Sequence, residues 1–505
     1  MGELAINMKK LLYIILMLLL ASPAFGACDS TQSTLSGLNT AIAAASAGDE
    51  ICLTDGTYSN FSTQGSPIDI QNTSGTSGNE IIVRPETVGG VSFNGTFHMN
   101  IGTSADASKG KYFIIKDFIW DNIDVTGVTI KGIYVYADNV RITNCSFTDF
   151  GDSGDNEAGS IVFFQAGADD GELDYCTFDT WEKAYVVSSL GSAFHMHHCY
   201  LTNPTDNTGH GVELGGDSVF DTDYNMIVEY NYFYKVNGAF AALSNKTSSA
   251  TFRYNVFDQS EDFVLRKGED NVVDTNYFLN SIGNNSTIRI FDAGHKVINN
   301  YIIGAPSGYM AIDIAGDQAN SSLYQEATNL HLASNTIIGS ATVGIGIGYC
   351  GSSCDDPDTI TLENNLIDQA AGTLIYLYNG TNITATTNTC NNYSTATYEN
   401  GGNYCTTEET STALSSDGYV YRLSATQDDG TADGNVTDDF DSEARADPPD
   451  CGCDEWIDGA SDVNYIQPSE VGYAAASGIA ITITYDAGGA LTITPDAGGA
   501  ITITY

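Results

Sequence analysis

A short unit recurs along most of this chain: asparagine or cysteine, then any residue, then an aromatic or aliphatic one. It reads CSF at Cys145, CTF at Cys176, CYL at Cys199, NYF at Asn231, NVF at Asn255, NYF at Asn276, NYI at Asn300, NTI at Asn335 and NLI at Asn365. Intervals of roughly 20 to 35 residues, with short β-type runs between turns, are the mark of a solenoid whose coils stack on one another. Asparagines recurring at one corner of such a stack predict a hydrogen-bonded ladder, so Asn231, Asn255, Asn276 and Asn300 are read as structural. Cys145, Cys176 and Cys199 sit in matching contexts and are read as buried small hydrophobes; no histidine or carboxylate recurs with them at zinc spacing.

Ahead of the repeats, Leu35, Leu38, Ala41, Ile42 and Ala45 recur at helical spacing before Gly48 and Asp49. This predicts a helix over about Thr34 to Ala47 that plugs the open end of the stack. The stretch AIAAASAGDEICLTDGTY resembles the opening of secreted right-handed parallel β-helices. The fold class expected is therefore all-β: a single-stranded right-handed parallel β-helix with an N-terminal helical cap and a small β-rich C-terminal extension. Boundaries follow composition, with a signal peptide at 1–27, the β-helix at 28–415, an acidic closing segment at 416–470 and a tail at 471–505. The tail repeats every ten residues (AITITYDAGG, ALTITPDAGG, AITITY) and reads as short strands and turns suited to attachment or self-assembly.

The N-terminus has the three parts of a secretory leader: Lys9 and Lys10, an apolar run from Leu11 to Leu20, and small residues up to Ala27. The expected location is secreted, periplasmic or at the cell surface, with no membrane span once the leader is removed. Eleven cysteines in an exported chain point to disulfides, and local spacing favours Cys28 with Cys52, Cys350 with Cys354, and Cys390 with Cys405. Cys451 and Cys453 are too close to bridge each other easily.

The formal net charge is −46, with only 18 lysines and arginines, and that balance excludes a nucleic-acid binder. Seven of those cations, Lys235, Lys246, Arg253, Arg266, Lys267, Arg289 and Lys296, fall between Asn231 and Tyr301. Such a cluster in an acidic body is expected to meet an anionic polymer. Lys246 lies nine positions before Asn255, Arg266 ten before Asn276 and Arg289 eleven before Asn300, which predicts one column on successive rungs. A lysine flanked by two cations sheds its proton more readily and could act as a general base.

This segment resembles polysaccharide lyase family 6, the chondroitinase B and alginate lyase type. The family's lysine block corresponds to GAFAALSNKT ending at Lys246 and Thr247, its LRHG to Leu265-Arg266-Lys267-Gly268, and its GIRIxGxxHxVxNNY to STIRIFDAGHKVINNY with Arg289 and His295; GVELGG from Gly211 to Gly216 resembles another block. The resemblance implies that Lys246 removes the C5 proton of a uronate and Arg266 assists as acid or stabilises the leaving oxygen. It also implies that Lys267, Arg289, His295 and His210 hold the substrate, with alginate the commonest one. Calcium is the family's usual cofactor, at paired glutamates that fall at Ala239 and Ala241 here, so no metal ligand is assigned. Glu213 stands where an arginine is frequent, and Lys267 replaces the histidine of LRHG. Two other readings stay open: a non-catalytic polysaccharide-binding or adhesin-like β-helix, and a polygalacturonase-like hydrolase suggested by GHGVELGG with Asp169 and Asp170 as carboxylates.

Overall fold

The structure is a computed structural model that describes residue 27 onward except 61–67, 104–108, 125–131, 152–158, 182–183, 206–209, 217–221, 238–240, 317–323, 340–341, 350–355, 370, 393–396, 401–403, 406, 410–413, 417–419, 424–429, 458–463, 474–478, 486–490, 498–501 and 504–505. The leader, Ala239 and the expected Cys350–Cys354 pair lie outside the described residues. Three long parallel sheets of 14, 13 and 14 strands run side by side, each strand pairing with the one three places on in the chain except at one end of the first sheet and one end of the third. That connectivity is a parallel β-helix, each coil giving one strand to each sheet. Alternation along the strands sends Leu, Ile, Val and Phe inward to one continuous core and the intervening residues outward.

The cap helix spans Leu35–Ala44, shorter at its C-terminal end than the sequence reading. Thr34 caps it, its Oγ1 accepting from Gly37 N at 3.0 Å, while Leu38 and Ile42 are buried against the first coils. The disulfides Cys28–Cys52 and Cys390–Cys405 are both formed.

The asparagine ladder is present and longer than the motif count. Asn231 Nδ2 donates to Asn255 Oδ1 at 3.0 Å, Asn255 to Asn276 at 3.0 Å, Asn276 to Asn300 at 3.1 Å, Asn300 to Asn335 at 3.0 Å, Asn335 to Asn365 at 2.9 Å and Asn365 to Asn388 at 2.9 Å. Each Oδ1 also accepts the backbone N–H of the preceding member, and each Nδ2 donates to a backbone carbonyl of the preceding coil, such as Val228 O for Asn255 at 2.8 Å. Turn backbone that would be left unpaired in an apolar interior is thereby satisfied. Cys199 begins the same corner, its N–H donating to Asn231 Oδ1 at 2.9 Å; Cys145, Cys176 and Cys199 are free thiols, fully buried as expected.

The acidic segment does not simply close the far end. Its described residues, continuing into Val471 and Tyr473 at the start of the tail, run back along the outer face of the third sheet. Thr431 N donates to Asn364 Oδ1 and Cys453 N to Thr336 Oγ1, both at 2.9 Å, and Tyr473 N reaches Thr177 Oγ1, also at 2.9 Å. Val420, Phe440, Cys453 and Val471 pack there on Tyr232, Val256, Tyr277 and Tyr301. In the tail, strand Ile479–Tyr485 pairs antiparallel with Leu491–Ala497.

Replacing Asn276 by Ala leaves Asn255 N without its side-chain acceptor and Phe252 O without the Asn276 donor, and removes one of the three bonds of Asn255 Nδ2. Each unmet buried group costs about 1–3 kcal/mol. Urea denaturation of Asn276→Ala is expected to show a loss of at least about 2 kcal/mol.

Candidate active site

Lys246 and Arg266 follow strands Ala241–Asn245 and Phe263–Leu265 of the second sheet. Asn245 is registered with Leu265, Lys246 N donates to Leu214 O at 2.8 Å and Arg266 N to Asn245 O at 2.9 Å. The two side chains therefore leave successive rungs at the same position. Leu243, Phe263, Leu265 and Ile290 are interior, so this position faces outward. The turn is fixed from within: Asn245 Nδ2 donates to Thr247 O at 2.8 Å, and its Oδ1 accepts from Thr247 Oγ1 at 2.9 Å. Two glycines allow the rungs to close at this corner. Gly215 has φ +76° and Gly268 +86°; a Cβ at Gly268 would sit 2.3 Å from the Thr247 carbonyl.

Arg289 does not continue the column. Leu265 is registered with Ile290, so the residue beyond Arg266 is Phe291, whereas Arg289 pairs with Val264 and Asp313 in the adjacent outward column. Nor is Arg289 a loose cation, because its Nε and Nη2 both lie 2.6 Å from Asp262 Oδ2. Burial pushes the Asp262 carboxyl above its ordinary value, with Arg289 pulling the other way. Lys246 has a carboxylate beside it as well, Glu213 Oε1 at 3.5 Å from Nζ, so the environment of two flanking cations is corrected to one arginine and one glutamate.

The remaining cations of the segment scatter over other faces. Arg253 is on the first sheet against Glu229 at 2.6 Å, Lys296 on that sheet reaches Asn435 at 3.0 Å, and Lys235 lies over the Tyr234 ring after a strand of the third sheet. A single basic groove is therefore not what the fold builds. His295 is corrected too. It is fully buried, its Nδ1 accepting from Asn271 N at 3.1 Å and its Nε2 2.8 Å from Phe291 O, and burial lowers its pKa to about 4. Ala250 N in turn donates to Asn271 Oδ1 at 2.9 Å, so His295 ends a second, short ladder and does not contact solvent. Lys267 is buried beside the same turn. His210 is placed by its backbone, in register with Ala241.

Sequence reasoning missed the apolar wall of the site. Ala241, Val264, Phe291 and Ala315 cluster on the outer side of the second sheet with Tyr324 against them. Tyr324 packs on Phe291 with the rings tilted by 48° and centroids 4.6 Å apart, and the Arg266 guanidinium sits over the Tyr324 ring at 5.1 Å. Among the described residues, Arg266 Nε is buried with no hydrogen-bond partner. No motif marks Tyr324; it lies in the connection between strands Met310–Ile314 and Thr328–Ala333. The methyl of Ala241 in this wall does not suit calcium, which takes six to eight oxygen ligands.

Residues 32–434 match the chondroitinase B family. The chain belongs to that family. No curated protein sequence matches it. Among solved structures, this chondroitinase B family member superposes on the PL6 alginate lyase AlyGC with TM-score 0.70 at 19% identity, over 88% of this chain and 58% of AlyGC, so it spans less than two thirds of that protein. A PL6 alginate lyase in complex with a trisaccharide gives 0.62 at 14% over 85% and 94%, and the PL6 polysaccharide lyase of Pseudopedobacter saltans 0.55 at 18% over 74% and 94%. These likenesses establish the shared β-helix. Of the two carboxylates of the polygalacturonase-like reading, Asp169 Oδ1 accepts Ser192 N at 2.8 Å and Asp170 takes a turn conformation at φ 54°.

Next to Arg289, burial pushes the Asp313 carboxyl up to about 7, with Arg289 opposing. In the unfolded chain an aspartate titrates near ~3.9. The folded state thus holds a proton the unfolded state has lost, and stability present below about pH 4 is surrendered as pH rises toward about 7. Asp313→Asn is expected to flatten this fall, measured as urea midpoints at acid and neutral pH: equal to wild type in acid, above it at neutral pH.

Proposed function

We propose that this chain is an exported polysaccharide lyase that cleaves a uronate-containing polyanion, with alginate first among the candidates, by β-elimination. The observation that carries the reading is the placement of Lys246 and Arg266 on adjacent rungs at one outward position, about 4.8 Å apart by the spacing of parallel strands. Membership of the chondroitinase B family and the β-helix shared with PL6 lyases support it. Export rests on the N-terminal leader sequence; among the described residues no helix is long and apolar enough to cross a membrane.

In this reading Lys246 takes the C5 proton of the uronate. The electron pair forms the C4–C5 double bond, the C4–O4 bond breaks, and the departing oxygen takes a proton from water, while the Lys246 ammonium later returns its own proton to solvent. Arg266 stays charged throughout and stabilises the carboxylate or the leaving oxygen, its unpartnered Nε supplying the donor. Glu213 holds the lysine in place at 3.5 Å. The wall of Val264, Phe291 and Tyr324 keeps the guanidinium oriented and lowers the local polarity around it. Arg289, tied to Asp262, shapes that wall from the next column. The ten-residue repeats are proposed to serve attachment or assembly.

Incubation with alginate, chondroitin, dermatan sulfate and polygalacturonate, followed by the ultraviolet absorbance of the conjugated product, tests the reading. Lys246→Ala is expected to lower turnover by at least ~100-fold with polymer binding retained, and Arg266→Ala to weaken both. Binding without cleavage of any polymer would replace the lyase by a binding protein, a reading that the Ala241 methyl and the Lys246–Glu213 pair would then favour. Since the glutamates are replaced, activity is expected to survive a chelator; loss on adding EDTA and recovery with calcium would place metal ligands elsewhere.

A further inference from the structure

On the first sheet, away from Lys246 and Arg266, the sequence His195-Met196-His197-His198 crosses a strand whose Met196 is buried in the core. Alternation then sends His195 and His197 outward together, their ring centroids 4.4 Å apart. Strand Glu172–Asp174 lies one rung before, with Glu172 registered with His195 and its Oε1 3.1 Å from His197 Nε2. One ligand atom from each of Glu172, His195 and His197 falls within 4.8 Å of the others. We propose that these three residues form a binding site for a borderline transition-metal dication, of the Zn2+, Cu2+ or Ni2+ class, that staples adjacent rungs of the helix.

The surroundings orient the ligands. His195 Nε2 lies 3.0 Å from Glu229 Oε1, and Arg253 holds that glutamate from the other side at 2.6 Å. His197 Nδ1 lies 2.9 Å from His198 Nδ1, so only one of the two nitrogens carries a hydrogen. When His197 supplies it, His197 Nε2 is a bare lone pair facing a carboxylate, an arrangement that a cation between them relieves. For His197 to become a ligand its Nε2 proton leaves to solvent, its Nδ1 takes the proton of His198 Nδ1, and His198 takes one from solvent at Nε2, so the pair keeps its number of protons. The imidazole partners that fix ring and tautomer are the outer shell metal-binding histidines use. The competing cation, Arg141, is drawn to Asp174 at 2.6 Å and stands 3.5 Å from Glu172. Two imidazoles and one carboxylate select Zn2+, Cu2+ or Ni2+ over Ca2+ or Mg2+, which prefer oxygen. A second cluster, His331 with Glu363 and Asp433, offers a single imidazole and serves as the internal control.

The test uses the tag-free full chain, stripped by a chelator and dialysed against Zn2+, with metal content and thermal midpoint measured. One equivalent bound and a raised midpoint are expected. His195→Gln with His197→Gln is expected to weaken binding more than tenfold and abolish the shift, whereas Glu363→Gln leaves both unchanged. No zinc binding by the wild type, or equal binding by the double variant, overturns the proposal. Should the double variant fail to fold, electron paramagnetic resonance of the wild type loaded with Cu2+ decides: nitrogen coupling from two imidazoles is expected, and an oxygen-only spectrum overturns it.

Discussion

The buried carboxamide ladder is the constraint on which the rest depends. A solenoid of short strands has little to stop one coil slipping by a residue against the next, and such a slip would turn every outward side chain inward. At the ladder corner each asparagine engages both the backbone of the preceding coil and the amide of the preceding asparagine. A displaced coil would leave several polar groups unpaired in an apolar interior, where each costs more than a formed hydrogen bond returns. Register fixed at that corner fixes Asn245 opposite Leu265 on another sheet, and so sets Lys246 beside Arg266.

Much of this was legible in the sequence because a stacked coil writes its period into the chain. The corner residues, the cap helix and the Lys246–Arg266 pair follow from repetition or helical spacing, and two disulfides from the local spacing of cysteines. Arg289 was misplaced for a physical reason. Counting back from the asparagine corner preserves register only if the intervening turn keeps its length; Phe291, nine residues before Asn300 as Lys246 is before Asn255, takes the position, and Arg289 falls two residues short. His295 looked functional because histidine is a reactive residue type, yet it stands five residues before Asn300, as Asn271 stands before Asn276, and belongs to a second ladder. Nothing in the chain announced Tyr324, or the carboxylates that face the cations, since those contacts join residues from different coils and connections.

Electrostatics in this site are local. In a protein of net charge −46, a polyanion gains no long-range attraction, and screening removes what little remains beyond about 10 Å. Arg289 is compensated by Asp262 and Lys246 is accompanied by Glu213, leaving Arg266 with an unused buried donor. On the proposed reading, an anionic sugar is recognised by close contact at Arg266 against its aromatic support. Ala241, where the family resemblance expects an ion-binding glutamate, belongs to the apolar wall that orients the guanidinium, so on the proposed reading charge neutralisation falls to an arginine.

Elimination through Lys246 makes one demand no other cleavage chemistry makes: the hydrogen at C5 of the uronate must leave. A polymer deuterated at C5, cleaved by the intact protein and analysed by mass spectrometry, tests this directly. The account predicts unsaturated fragments that have lost the deuterium at the new chain end, formed more slowly than from the unlabelled polymer. Fragments that keep the deuterium at C5 and carry a saturated end would contradict it.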